Sequence, residues 1–205
     1  MSAARIGILI SGGGRTALNI HDACVRGALD ARVALVIAHR EEAEGVQRCR
    51  AAGLRVALLP PTDGQHVTPL ADRIDAALEA AAVDLVCLAG YLRHFRVGAR
   101  WRGRTLNIHP ALLPDFGGHG MFGMHVHRAV IAAGRSESGC TVHEVDEEYD
   151  RGPIVLRRSC PVLSDDRPET LAARVFDEEC KAYPEAIRAF LAARRATPAP
   201  LGAGT

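Results

Sequence analysis

Arg5-Ile6-Gly7-Ile8-Leu9-Ile10-Ser11-Gly12-Gly13-Gly14, running into the helical stretch Thr16–Arg26, decides the fold. Arg5–Ile10 is apolar at almost every position, as suits a strand covered on both faces. The glycines behind it make a tight strand-to-helix turn. The cadence then repeats. Ala31–Ala38 reads as a second strand and Glu42–Ala52 as a second helix, with Gly53 as its C-cap. Leu54–Leu59 is a third strand, stopped by Pro60 and Pro61. Val67–Ala82 has a helical rhythm, and Val83–Ala89 is a fourth apolar strand. This alternation predicts an α/β fold: a doubly wound, mostly parallel sheet with right-handed crossovers and helices on both faces.

After Ala89 the pattern changes. Thr105–Ile108 is a short strand ending in His109-Pro110, and the Gly-rich loop Phe116–Gly123 precedes a helix around His125–Ala133. Cys140–Val145 and Ile154–Val162 read as strands that can pair as a hairpin across Asp146–Pro153. Pro168–Arg194 is a long helical stretch with an expected bend near Pro184. No repeat and no linker divides the chain. One domain is expected over residues 1–196, with residues 197–205, rich in Pro, Ala and Gly, as a flexible tail.

Composition narrows the function classes. The 205 residues are 48% hydrophobic and 24% charged, an ordinary globular balance for one domain. Lys plus Arg number 25 against 24 Asp plus Glu, which leaves no basic excess for a nucleic acid. Aromatics at 4% are too few for base-stacking platforms. No apolar run approaches the ~18–20 residues that cross a bilayer, and Ile6–Ile10 is too short for a signal-peptide core. The six cysteines are scattered with no CxxC pair, so reduced thiols and a cytoplasmic location are expected.

Chemistry concentrates in two places. The first is Gly12-Gly13-Gly14-Arg15-Thr16, where free N–H groups at a helix N-terminus suit a phosphate. The run is neither GxGxxG nor a Walker A loop, so a monophosphate fits better than a dinucleotide; a plain turn with no ligand stands beside that reading. The second is Asn107-Ile108-His109-Pro110, where strand alternation puts Asn107 and His109 on one face. Ligands of an open α/β sheet sit beyond the carboxyl ends of its strands. There an amide and an imidazole can stabilise an oxyanion. Asp150 lies in a loop able to fold back, orient the imidazole and raise its pKa. A capping Asn, a core His and a solvated acidic loop are the plainer use, which spacing alone favours. His119, His125 and His127 raise the question of a metal. However, an HxH pair on a helix points its rings to different faces and no zinc spacing is present, so no metal is expected and the three read as solvent-facing or supporting histidines.

Taken together, the motifs resemble the glycinamide ribonucleotide transformylases, the folate-dependent formyltransferases of purine synthesis. The resemblance runs from about Arg5 to Arg194. It rests on Ile10-Ser11-Gly12-Gly13-Gly14, Leu88-Ala89-Gly90-Tyr91-Leu92-Arg93, Leu106-Asn107-Ile108-His109-Pro110-Ala111-Leu112-Leu113-Pro114 and Asp150-Arg151-Gly152-Pro153-Ile154, in the family's order. It implies a Rossmann-like formyltransferase fold and a catalytic set of Asn107, His109 and Asp150. It implies a ribonucleotide site of Gly13, Gly14, Arg15, Thr16, Pro110 and Glu179. The folate site it implies comprises Leu92, Arg93, His94 and Phe95 on one side and Val145, Asp146, Glu147 and Asp150 on the other, together with Asn107.

The implied activity is formyl transfer from 10-formyltetrahydrofolate, a cosubstrate, to the amine of glycinamide ribonucleotide, with small molecules as the partners and no nucleic acid or membrane. A formyltetrahydrofolate deformylase and a non-catalytic nucleotide- or folate-binding module are the competing readings. Three departures from the family pattern stand out. The turn reads Gly14-Arg15-Thr16 where Gly-Ser-Asn is common. The loop Asp115–Met124 is longer. Val67 falls near the place of an arginine that contacts the folate tail.

Overall fold

The computed structural model describes residues 3–61 and 68–196. Val67 and the expected tail at residues 197–205 lie outside the described residues. Five parallel strands, β1 (Ala4–Leu9), β2 (Ala31–Ala38), β3 (Val56–Leu58), β4 (Leu85–Leu88) and β5 (Thr105–His109), are extended by an antiparallel pair, β6 (Glu137–Glu144) and β7 (Ile154–Pro161). The sheet order is β3-β2-β1-β4-β5-β6-β7. Helices α1 (Arg15–Val25), α2 (Glu44–Ala51), α3 (Leu70–Ala80), α4 (Gly98–Trp101), α5 (Met124–Ala132) and α6 (Pro168–Ala196) complete the fold. Among the described residues, no helix is long and apolar enough to cross a membrane.

The apolar strands bury both faces, as their composition requires. Ile6, Ile8, Ile10, Val36, Cys87 and Leu106 pack with α1, α2, α5 and α6 on one side. Leu9, Leu35, Ile37, Val86 and Leu88 pack with Ile74, Leu78 and Trp101 on the other. Alternate residues of one strand thus serve opposite layers. The fully buried Tyr183 fastens α6 to the sheet, its hydroxyl lying 3.1 Å from the carbonyl of Leu88 and 2.9 Å from that of Leu106, on adjacent strands.

Differences from the sequence expectation fall at element ends. Strand β6 starts at Glu137 rather than Cys140, because Ser138 and Gly139 pair with Cys160 and Ser159 of β7 despite their weak strand propensity. The helix expected over Val67–Ala82 is observed as Leu70–Ala80. The four-residue α4 is too short for a periodic signal. Pro184 lies within α6, which runs continuously through it.

Candidate active site

The sheet order places β1 between β2 and β4, so β1 is where the strand order reverses, and a cleft of about 500 Å³ opens beyond its carboxyl end. Four segments form its walls: the turn Gly12–Thr16 and the loops Gly90–Phe95, Gly118–Gly123 and Val145–Asp150, with Ala172, Phe176 and Glu179 of α6 beside the turn. Ser11 ties the first two walls together. Its N–H donates to the Gly90 carbonyl (3.1 Å) and its hydroxyl accepts from the Leu92 N–H (3.0 Å).

The glycine turn has a structural cause as well as an open edge. Gly14 has φ 69°, and a Cβ there would lie 2.7 Å from the Cα of Gly45 in α2, so the turn and α2 meet backbone to backbone. The Gly45 N–H donates to the Gly12 carbonyl (3.0 Å), and Arg48 donates to the Gly13 carbonyl (3.0 Å). At the end of the turn, α1 begins at Arg15. The Arg15 guanidinium lies 4.0 Å from the centre of the Phe176 ring, across the cleft edge in α6. Glu179 stands one helical turn from Phe176. Burial pushes its carboxyl up to about 7, against the opposing pull of Arg15.

At the carboxyl end of β5 the predicted triad comes together. Antiparallel pairing sets Asn107 opposite His143 and His109 opposite Thr141. Asp150, at φ 56°, returns from the loop beyond β6 to face Asn107, His109 and His143. Its Oδ2 accepts from the Gly118 N–H (2.9 Å) and stands 3.5 Å from His109 Nδ1. Its Oδ1 lies 3.4 Å from both Asn107 Nδ2 and His143 Nε2. Gly117 lets the long loop lie against this carboxylate, since a Cβ there would come within 3.3 Å of Asp150 Cβ.

The hydrogen bonds fix which nitrogen carries which proton. His109 Nε2 is 2.7 Å from the Phe116 carbonyl, which only accepts, so Nε2 bears a proton and Nδ1 is the nitrogen left facing Asp150. His143 Nδ1 likewise donates to the Glu144 carbonyl (2.8 Å). In the neutral ring its Nε2 therefore accepts from Asn107 Nδ2 (3.1 Å). The sequence reading missed His143. Its placement depends on a strand pairing, and the only local signal was a polar residue at the end of the apolar strand Cys140–Val145.

Electrostatics corrects one expectation. Burial holds the pKa of His109 below its ordinary value and outweighs the nearby Asp150, which pulls it up. Burial raises Asp150, but the nearby His143 and His109 rings and the Gly118 N–H outweigh it, leaving the carboxyl below its ordinary value. At neutral pH the site thus holds a carboxylate and a largely neutral imidazole.

Leu92, Arg93, His94, Phe95, Val145, Asp146 and Asp150 border the cleft with Asn107, and Gly13, Gly14, Arg15, Thr16, Pro110 and Glu179 border its other half. Glu147 does not. It is exposed and turned away from the cleft, its carboxylate 3.6 Å from Arg102. Phe95 borders the cleft but is mostly buried in the core behind it. The Leu92 N–H is already committed to Ser11. His125 is exposed, whereas His127 is buried and borders the cleft; as expected, the two rings lie on different helix faces. Among the described residues no group of three or more His, Cys, Asp or Glu is placed to hold a metal ion.

An amide, an imidazole and a carboxylate converge in one cleft with the N-terminus of α1, an arrangement suited to acyl transfer without a covalent enzyme intermediate. Residues 4–187 match the Formyl transferase family. The chain is 39% identical over 192 residues to the chloroplastic phosphoribosylglycinamide formyltransferase of Arabidopsis thaliana, covering 90% of this chain and 64% of that protein. It thus spans under two thirds of that relative's length. It is 36% identical to phosphoribosylglycinamide formyltransferase of Haemophilus influenzae, covering 93% of this chain and 88% of that protein. The glycinamide ribonucleotide transformylase 1 structure from Symbiobacterium toebii superposes with a TM-score of 0.86 at 41% identity, over 94% of this chain and 90% of that one. The chain therefore belongs to the formyl transferase family, with phosphoribosylglycinamide formyltransferases among its relatives.

Proposed function

We propose that the chain transfers the formyl group of 10-formyltetrahydrofolate to the amine of glycinamide ribonucleotide, a step of purine synthesis in the cytoplasm. The observation that carries the reading is the convergence of Asn107, His109 and Asp150 between the two halves of one cleft. The ribonucleotide phosphate lies on the Gly13–Thr16 N–H groups and its ribose on Glu179. The folate ring lies between Leu92–Phe95 and Val145–Asp150. The substrate amine attacks the formyl carbon, and a tetrahedral oxyanion forms. One Asn107 N–H is held by His143; the other, with only a long 3.4 Å contact to Asp150, is the donor free to turn to the oxyanion.

Because His109 Nε2–H is committed to Phe116, Nδ1 is the nitrogen that presents a proton to the developing charge. A growing oxyanion beside the ring favours its protonated form. The proton the attacking amine loses passes through water, with Asp150 as relay, to His109 Nδ1; Asp150 steadies the imidazolium so formed, and as the oxyanion collapses that proton goes to the departing folate nitrogen. Turnover of 10-formyltetrahydrofolate with and without glycinamide ribonucleotide tests the reading. Amine-dependent turnover supports it, amine-independent turnover would make the chain a hydrolase, and none would leave a binding module.

Two predictions concern the ribonucleotide half. Arg15→Ala is expected to raise the ribonucleotide Michaelis constant about tenfold or more, the worth of a charge-assisted hydrogen bond, with the folate constant unchanged. Equal effects on both substrates would remove the phosphate from this turn. For Glu179, a carboxyl at about 7 is ionised only above that pH. As a better acceptor for ribose hydroxyls when ionised, it should make the ribonucleotide Michaelis constant fall from pH 6 to pH 8. Glu179→Gln should remove that part of the dependence, as initial rates across the range would reveal; identical profiles in both proteins would count against ribose binding.

A further inference from the structure

His127 takes no part in the arrangement above. It sits in the first turn of α5, is only 5% exposed, and still borders the cleft. Among the described residues its Nδ1 has no hydrogen-bond partner and is sealed from solvent. Its Nε2 is not sealed in this way, and the residue borders the cleft. A buried N–H without an acceptor is rarer than a buried lone pair without a donor. The proton therefore resides on Nε2. Burial, with His109 nearby, holds the ring's pKa below its ordinary value, so at neutral pH the ring is an uncharged donor.

Its neighbours indicate what it would touch. Val126 and Val130 of α5 share a core cluster with Leu171 and Val175 of α6, whose Ala172, Phe176 and Glu179 border the same cleft. His127 thus shares the cleft with Glu179 of α6 and with the nearby His109. On the transferase reading, on which this inference rests, the ribose lies at the first and the attacking amine at the second. The group spanning them is the glycinamide linkage, whose carbonyl oxygen accepts but cannot donate. We propose that His127 contacts the substrate, its Nε2–H donating to the amide carbonyl oxygen of the ribonucleotide and so aligning the amine for attack.

Three substitutions test this, with wild type run in parallel. A Gln amide nitrogen reaches the position of Nε2, an Asn nitrogen only that of Nδ1, and Leu supplies neither. His127→Leu and His127→Asn are expected to lose about tenfold in kcat/KM for the ribonucleotide, the usual size of one lost hydrogen bond. His127→Gln should stay within about threefold of wild type, and the folate Michaelis constant should be unchanged in all three. A purely structural role would instead lower melting temperature and disturb both substrates together, with no advantage for Gln over Asn; that result overturns the proposal. Should His127→Leu not fold, the contrast between Gln and Asn carries the test alone. Absence of amine-dependent turnover in wild type would overturn the transferase reading itself. Normal wild-type turnover with three wild-type-like variants would overturn only the role of His127.

Discussion

Asp150→Asn is expected to lower turnover by about 10²–10⁴-fold, the usual worth of a general acid–base group, while both Michaelis constants move little. The carboxylate accepts on both oxygens. Oδ2 takes the Gly118 N–H, and Oδ1 faces Asn107 Nδ2. An Asn side chain can match only one of these, because its NH₂ must oppose a donor on the other side whichever way the amide turns. The variant also removes the anion that pulls the His109 pKa up against burial. Imidazolium then becomes harder to form as the oxyanion develops, and the amine's proton loses its relay. The alternative is that Asp150 only pins the Phe116–Gly118 loop through Gly118. In that case the variant would lose melting temperature or folate affinity while turnover at saturation stayed near wild type. Measuring turnover, both Michaelis constants and melting temperature on this one protein separates the two.

What the sequence could disclose follows from which interactions are local. Strands β1, β2 and β4 were legible because burial on both faces demands continuous apolar runs such as Ile6–Ile10 and Val83–Ala89. Asn107 and His109 were legible as neighbours because two residues apart on a strand is one face. Asp150 was a candidate because of its motif, but its left-handed backbone and its contact with Gly118 depend on two loops meeting. His143 was invisible because it reaches Asn107 only through the antiparallel register of β5 and β6. The lowered pKa of His109 was misjudged for a related reason: the nearby carboxylate could be inferred, while the depth of burial that outweighs it is a property of the packed sheet. The outward turn of the Glu147 side chain to Arg102 was not legible in Val145–Asp150 read as one block, because an extended loop sends some side chains away from the cleft.

The assignment of Nδ1 as the working nitrogen of His109 gives the second large effect. His109→Gln is expected to cost about 10²–10³-fold in turnover, the measured scale for losing one oxyanion donor. Its amide nitrogen would fall near the Nε2 position, where the Phe116 carbonyl already accepts, and nothing would stand at Nδ1. His109→Asn should be the milder variant, retaining about tenfold more activity than Gln, because its amide nitrogen lies near Nδ1 and can still donate one neutral hydrogen bond. It would still fall well short of wild type, since an amide cannot become a cation beside Asp150. The pH profile gives an independent readout. Wild-type turnover depends on a ring that gains a proton during the reaction, and it should report a group near or below the ordinary histidine range. That inflection should vanish in both variants, because neither amide titrates. If Gln outperforms Asn, the oxyanion is served from Nε2. The bond to Phe116 must then break in each cycle, and the loop from Asp115 to Met124 becomes the moving part of the catalytic site.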